Sequence, residues 1–338
     1  MLIGFKSNPY WTIRYFVWGT RDTTTESRLA GAYVAGGRSL PDVLKSHLAW
    51  LEKLPAGLRA DLTGLTYNDL RLREAKLSQA ILRGVTLLDS DLSGSDLSGA
   101  VLDHADLRQC ILSSADLSDT SIVEARFEGG WLGGANLASA VLNTARLSKA
   151  RLAEARFIEA ALTACDLREI AGPRSEWRRA RVEQTDFSNA ILESAIFYGA
   201  RLNSCRFVAA NLHETIWTSG EALNCNFNHS NLAGSHFHRA NLQRSSFSKA
   251  LMRLCDLRES KLGGTDFGGA DLTEVRLGGA TLLGADFRGA NLRGARELTA
   301  SQLSQALTAE TTILPNGSRG PYRKLSGAER PLPSGRLD

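Results

Sequence analysis

The chain has 338 residues, 43% of them hydrophobic, with 40 Lys/Arg against 36 Asp/Glu and a formal net charge of +4. That near-balance speaks against a polyanion along the whole chain, and against nucleic-acid binding, which wants clustered bases. The longest apolar run, Tyr15 to Trp18 with its neighbours, includes Arg14 and is too short to span a bilayer. A charged, apolar and small-residue sequence of secretory type is not seen, so the expected compartment is the cytoplasm, with a translocated effector as the alternative.

Residues 1–58 read as a small separate module. Tyr10 to Trp18 and Arg28 to Ala35 are β-rich runs flanking the polar "GTRDTTTES", which predicts a hairpin. Pro41 then marks a helix start, and Leu40, Val43, Leu44, His47, Leu48, Leu51 and Leu54 recur at three and four, predicting an amphipathic helix that ends before Pro55. Its apolar face needs a partner, and the open end of the segment that follows offers one. An uncovered terminal coil would be an aggregation-prone edge, so a cap is expected there. Docking of a partner by Trp11, Tyr15, Phe16 and Trp18 is the other reading of this module.

Residues 59–296 keep a five-residue beat. Leu62, Leu72, Leu77, Leu82 and so on to Phe287 and Leu292 are large and apolar, with breaks at Gly172 and Ala222. Two residues before each stands a small side chain, as in Ala75, Ser90 and Cys110, and the residue between is often Asp or Asn, as in Asp91 and Asn136. Gly is frequent two places after the large residue. Five is neither the helical nor the strand period, so the chain has to turn a corner in each unit. Sorted by twenty, one column reads Phe187, Phe207, Phe227, Phe247, Phe267, Phe287 and a second reads Phe157, Trp177, Phe197, Trp217, Phe237. This segregation predicts a square coil of twenty residues with like side chains in ladders. The repeat then makes about twelve coils, a rod of roughly 57 Å at the spacing of stacked strands. All five cysteines, Cys110, Cys165, Cys205, Cys225 and Cys255, occupy the small inward position and read as buried structural thiols.

Residues 168–176, "REIAGPRSE", break the motif without breaking phase. Gly172 replaces a large residue, Ile170 enlarges the small position and Pro173 cannot donate a ladder hydrogen bond, which predicts a bulge or short loop. Arg174, Glu176, Arg178, Arg179 and Arg181 around it are the candidate partner-binding residues; a tolerated surface irregularity is the competing reading. After Ala295 the beat stops. Thr299 to Gln302 is a capping-box pattern, so residues 297–314 are expected to form a C-terminal capping helix. Residues 315–338, rich in Gly, Pro, Ser and Arg, are expected to be disordered.

The sequence carries no constellation that reads as catalytic, metal-binding or cofactor-binding, so a non-enzyme without cofactors is expected. The Gly-Gly pairs, such as Gly263-Gly264, recur at corners and open no helix, which makes them turns rather than phosphate loops. His236 and His238 flank Phe237, but the motif fixes no third ligand beside them.

The strings "SGSDLSGA", "SSADLSD", "GGANLASA" and "RGANLRGA" resemble the pentapeptide-repeat family, with its A-(D/N)-L-x-x motif, over about two-thirds of the chain. The resemblance implies a right-handed quadrilateral parallel β-helix, here an all-β solenoid with a small N-terminal α+β cap and a C-terminal capping helix of the kind common in the family. The family's best-known members are acidic DNA mimics that protect DNA gyrase. Residues 60–296 hold 27 Lys/Arg and 28 Asp/Glu, so no sustained anionic stripe runs along the rod. Residues 61–140 alone are acidic, with 12 acids against 6 bases, while residues 141–261 have 17 bases against 12 acids. Two readings follow. One is a non-enzymatic scaffold or adaptor for a protein partner, as monomer or homodimer, without direct nucleic-acid binding. The alternative is a DNA-mimic protector of gyrase or topoisomerase acting through the acidic N-terminal part.

Overall fold

The computed structural model describes residues 37–332; the expected hairpin lies outside the described residues. Helix α1 (Leu40–Leu51) starts where the sequence places it. The Ser39 hydroxyl accepts the Asp42 N–H at 3.3 Å, and Pro41 sits in the first turn, where no N–H donor is required. Leu40, Val43, Leu44, His47 and Leu48 form its buried face, and its leucines and Val43 join the same apolar core as the repeat. The helix ends at Leu51, and the chain folds back beneath it so tightly that a Cβ on Gly57 would lie 2.3 Å from the Trp50 nitrogen. Only glycine passes there. The Ala60 N–H then donates to His47 Nδ1 at 3.0 Å, tying the helix to the first rung of the repeat.

From Ala60 onward the chain is a parallel β-solenoid. Asp61, Thr66, Arg71 and Lys76 each bridge, in parallel, to the residue twenty positions later, and bridges of that offset continue as far as Arg296. The best-formed ladder comprises β1 (Ser121–Val123), β2 (Val141–Asn143), β3 (Ala161–Thr163), β4 (Arg181–Glu183), β5 (Arg201–Asn203) and β6 (Glu221–Leu223). They pair in chain order as one parallel sheet, with partners such as Ile122 and Leu142 twenty residues apart. The motif chemistry explains each corner. The Asp or Asn side chain accepts the N–H two residues on, as Asp91 does from Ser93 at 3.0 Å and Asn136 from Ala138 at 3.2 Å. The residue two places after the large one is left-handed, as at Glu74 (φ 56) and Gly94 (φ 64), which is why glycine recurs there.

Inside, the two aromatic columns stack as the twenty-residue sorting predicts. Ring centroids are 4.6 Å apart for Phe187–Phe207, 4.7 Å for Phe227–Phe247 and 4.0 Å for both Phe157–Trp177 and Phe197–Trp217. The columns meet edge to face, as in Phe207–Trp217 at 5.7 Å and 85°. Each buried indole finds a hydroxyl two residues upstream: Trp177 Nε1 donates to Ser175 Oγ at 2.8 Å and Trp217 Nε1 to Thr215 Oγ1 at 2.9 Å. The cysteines are buried in this interior. Burial pushes the Cys110 and Cys255 thiols up to about 12 and Cys165 up to about 11, far from reactive thiolates.

Three expectations are corrected. Residues 168–176 form no bulge: Ala171 bridges both Arg151 and Ile191, and the Gly172 N–H donates to the Ile191 carbonyl at 2.8 Å. Pro173 falls at the first turn position, whose N–H makes no backbone bond in the repeat; its carbonyl still accepts from Glu154 at 3.0 Å. The C-terminal helix is only α2 (Ala300–Leu303), with the capping box formed by Thr299 and Gln302. Beyond it the chain rejoins the ladders, through Leu307 opposite Asp286 and Ile313 opposite Asn291. Gln302 Nε2 donates to the carbonyls of Leu277 (2.8 Å) and Ala280 (2.9 Å), satisfying acceptors at this end of the solenoid. Finally, residues 315–332 are not a disordered tail. Arg319 bridges Ile313, the Tyr322 N–H donates to Thr308 Oγ1 at 2.9 Å, Tyr322 packs on the core and Ala328 is buried.

Candidate partner-binding surface

With the interior filled, chemistry lies on the outward positions of the ladders. One ladder runs Ile111, Trp131, Arg151, Ala171, Ile191, each residue bridging the next. Along it Ile111 is 38% exposed, Trp131 45% and Ile191 46%. The Arg151 guanidinium lies 3.9 Å from the Trp131 ring centroid, a cation–π contact that fixes both side chains flat on the wall. This apolar row adjoins the segment singled out from the sequence.

The five residues expected to bind a partner are not gathered in a loop. Arg174 sits at the turn after the apolar row and is held by Glu154, one rung back, with Nη2 to Oε1 at 2.6 Å. Glu176 lies on the next ladder, opposite Arg156 and Ile196, and pairs with Arg178 at 3.5 Å. Arg179, at the following turn, pairs with Glu159 at 3.3 Å. Arg181 opens β4 on a further ladder, opposite Arg201, and makes no ion pair among the described residues. Three of the four arginines are thus engaged by carboxylates of the rod itself.

Two kinds of ion pair escaped the sequence reading. The first joins turn residues one rung apart, as in Arg174–Glu154, Arg179–Glu159 and Arg239–Glu259 (2.8 Å); its signal is opposite charge at a spacing of twenty. The second is the D-x-R fork, in which an Asp on a ladder takes both arms of the Arg two residues on. Asp256 accepts from Arg258 Nε and Nη2 at 2.8 and 2.6 Å, and Asp166 accepts from Arg168 at 2.8 and 2.7 Å. These hydrogen bonds hold both carboxyls below the usual carboxylate range, against the opposing effect of partial burial. The acidic N-terminal part looks different: Asp96 lies opposite Asp116, the former bonded to Ser98 and the latter to Asn136.

Comparison with known proteins settles the family. The chain matches the family described as pentapeptide repeats in 8 copies, over residues 59–94, 71–109, 90–129, 132–168, 178–218, 224–258, 250–282 and 270–307. The chain belongs to the pentapeptide-repeat family. Among solved pentapeptide-repeat structures it is similar to HetL, involved in heterocyst differentiation regulation in the cyanobacterium Nostoc sp. strain PCC 7120. That likeness has 24% identity, covers 75% of this chain and 92% of HetL, and has a TM-score of 0.31. QnrB1, a plasmid-mediated fluoroquinolone resistance protein, is similar at 22% identity over 65% of this chain and 90% of its own, with a TM-score of 0.29. None of the curated proteins compared with the chain matches it.

Proposed function

We propose that this pentapeptide-repeat protein is a non-enzymatic scaffold or adaptor that binds a protein partner in the cytoplasm. In this reading the rod is a right-handed quadrilateral β-helix of about twelve coils, covered at one end by α1 and at the other by α2 and the segment after it. The observation that carries the reading is the exposure of Ile111, Trp131 and Ile191 on one ladder, with the Arg151 guanidinium laid over the Trp131 ring between them. Large apolar side chains exposed along one wall favour a place where another macromolecule sits. Arg174 lies at the turn beside that row and Glu176, Arg178 and Arg179 along the next wall, and we assign these four to the rim of the same contact, where charge sets encounter rate and specificity more than affinity; Arg181, one wall further on, belongs to the opposite face. The test is proximity labelling in the native host, followed by titration of the purified partner onto wild type and a Trp131→Asp/Ile191→Asp variant. The variant is expected to lose binding by about tenfold or more with an unchanged melt. Binding that is unaffected would sink this use of the wall.

A second reading has its own support. The acid excess of residues 61–140, with Asp96 facing Asp116, favours a topoisomerase-protecting role for that part of the rod. A gyrase supercoiling assay with a quinolone separates the two. The scaffold reading expects no protection at near-stoichiometric protein, because the negative field that would compete with DNA is confined to one part of the rod.

A further inference from the structure

Arg faces Arg across a ladder at three points among the described residues. At Arg126–Arg146, Arg126 has Asp106 at 3.8 Å and Glu128 at 3.3 Å. At Arg276–Arg296, the two guanidinium groups are held by Glu297 at 2.8 Å and Glu274 at 2.7 Å. At Arg181–Arg201 neither side chain forms an ion pair, although the two are direct partners in β4 and β5 and both are exposed. Adjacent strands stand about 4.8 Å apart, so two cations rise side by side from the wall with nothing between them. Like charges placed directly opposite destabilise a sheet, and the rest of this rod neutralises such arginine pairs at least in part. Beside them Tyr198 is exposed at the turn that leads into β5, and its carbonyl accepts the Arg179 N–H at 3.0 Å.

We propose that the corner carrying Arg181, Tyr198 and Arg201 receives an acidic segment of a partner protein, a carboxylate side chain being gripped by the two guanidinium forks against the tyrosine ring. This rests on the scaffold reading and names the chemistry of the partner. Two forked donors match a carboxylate bidentately, and Arg with Tyr are residue types enriched where interfaces concentrate their energy. The surroundings limit the ligand. Glu183 follows Arg181 on the same strand and Glu221 lies opposite Arg201, while Glu176 and Glu159 stand nearby under Arg178 and Arg179. A long polyanion such as a nucleic-acid strand would run over these carboxylates; a short acidic side chain between them would not.

The experiment uses the full chain and three fluorescent probes at low salt: a short Glu/Asp-rich peptide, its Gln/Asn counterpart and a single-stranded oligodeoxynucleotide. Anisotropy is expected to show binding of the acidic peptide only, weakened about tenfold or more by Arg181→Glu/Arg201→Glu. Arg239→Ala/Arg288→Ala, whose arginines lie on other turns of the rod and are already engaged by Glu259 and Asp286, should leave it within about twofold. Equal binding of the neutral peptide, no binding of the acidic one, or indifference to the double change would overturn the proposal. So would tighter binding of the oligonucleotide, or a self-association in sizing runs that the same change abolishes, which would make the occupant a nucleic acid or a second copy. If the acidic peptide fails while the labelled partner still depends on Trp131 and Ile191, this corner is wrong and the scaffold reading stands.

Discussion

Two stretches of one rod fill the same interior differently. Between residues 61 and 140 the large inward residues are almost all leucine, with Phe127 the lone fully buried aromatic. Between Phe157 and Phe287 they form two interlocked aromatic columns. The outer surfaces differ as well, acidic in the first stretch and richer in arginine beyond it. Yet the ladders keep one twenty-residue offset through both. Backbone bonding and corner chemistry therefore set the coil, while inward and outward positions vary independently. Stacked and edge-to-face rings add about 0.5–1.5 kcal/mol per pair beyond area burial, so the aromatic stretch should be the firmer of the two.

The comparison breaks most visibly at the centre of the columns. Phe227 stacks on Phe207 at 4.9 Å and on Phe247 at 4.7 Å, and it meets Trp217 edge to face at 5.6 Å. Phe227→Asp puts an unpaired carboxylate there and is expected to cost more than about 4 kcal/mol, enough to prevent cooperative folding of that stretch. Asp271→Ala on an outer wall, where the carboxylate bonds to Thr273 and Arg253, should cost only about 1 kcal/mol. Thermal melts that did not separate these two would mean that the columns do not hold the rod together.

Next in size is the irregular rung. Ile170 is large where most rungs have Ala or Ser, and Gly172 is empty where they have Leu or Phe; both positions face inward. A Cβ on Gly172 would already meet Leu152 Cβ and Ser175 Oγ at 3.3 Å. Gly172→Leu should therefore overpack and cost about 1–3 kcal/mol, and Ile170→Ala should cost about 2–5 kcal/mol by leaving a cavity. If the Ile170 side chain fills the space that Gly172 leaves, the double variant should lose less than the sum, with a coupling near 1 kcal/mol or more. Additive losses in urea titrations would show that the two sites do not compensate.

How much of this was legible in advance follows from where each signal lies. The five-residue beat and the aromatic columns are local and repeated, so residues such as Asp91 and Phe207 announce their places without any tertiary information. Pro173 misled because its cost depends on which N–H groups the coil uses, and that is visible only once the hydrogen-bond register is known. Composition misled for residues 315–332, whose order comes from the packing of Tyr322 and Ala328 on distant parts of the chain. The candidate site was half legible. Its arginines could be read, but whether each was already neutralised depended on Glu154 and Glu159, twenty residues away.

The junction of α1 with the acidic stretch should respond to pH. His47 is buried and accepts the Ala60 N–H through Nδ1. Burial pushes its pKa below 6.5, partly opposed by the Ser78 carbonyl beside it. With the folded value depressed, the unfolded chain binds the extra proton first, so stability is full above about pH 6.5 and falls as pH drops below it. Protonation would also set one N–H against another at Ala60. His47→Asn, which keeps an acceptor but does not titrate, should flatten this dependence. Identical melting shifts for both proteins between pH 7.5 and 5.5 would show that the junction does not titrate through His47.

The smallest expected effect is at the paired arginines of the middle rungs. Arg174 and Arg179 make short ion pairs with Glu154 and Glu159, but all four side chains are more than half exposed, and water and salt screen such pairs. Arg174→Ala and Arg179→Ala should each change stability by less than about 1 kcal/mol, with the difference shrinking further in high salt. The reason is structural as well as electrostatic: the turn that carries Arg174 is set by the Arg174 N–H bond to the Glu193 carbonyl at 2.8 Å, which the substitution leaves intact. A loss of several kcal/mol in a denaturant titration would mean that the vertical pairs are structural elements of the coil. The aromatic columns would then not be the main reason for the firmness of this stretch.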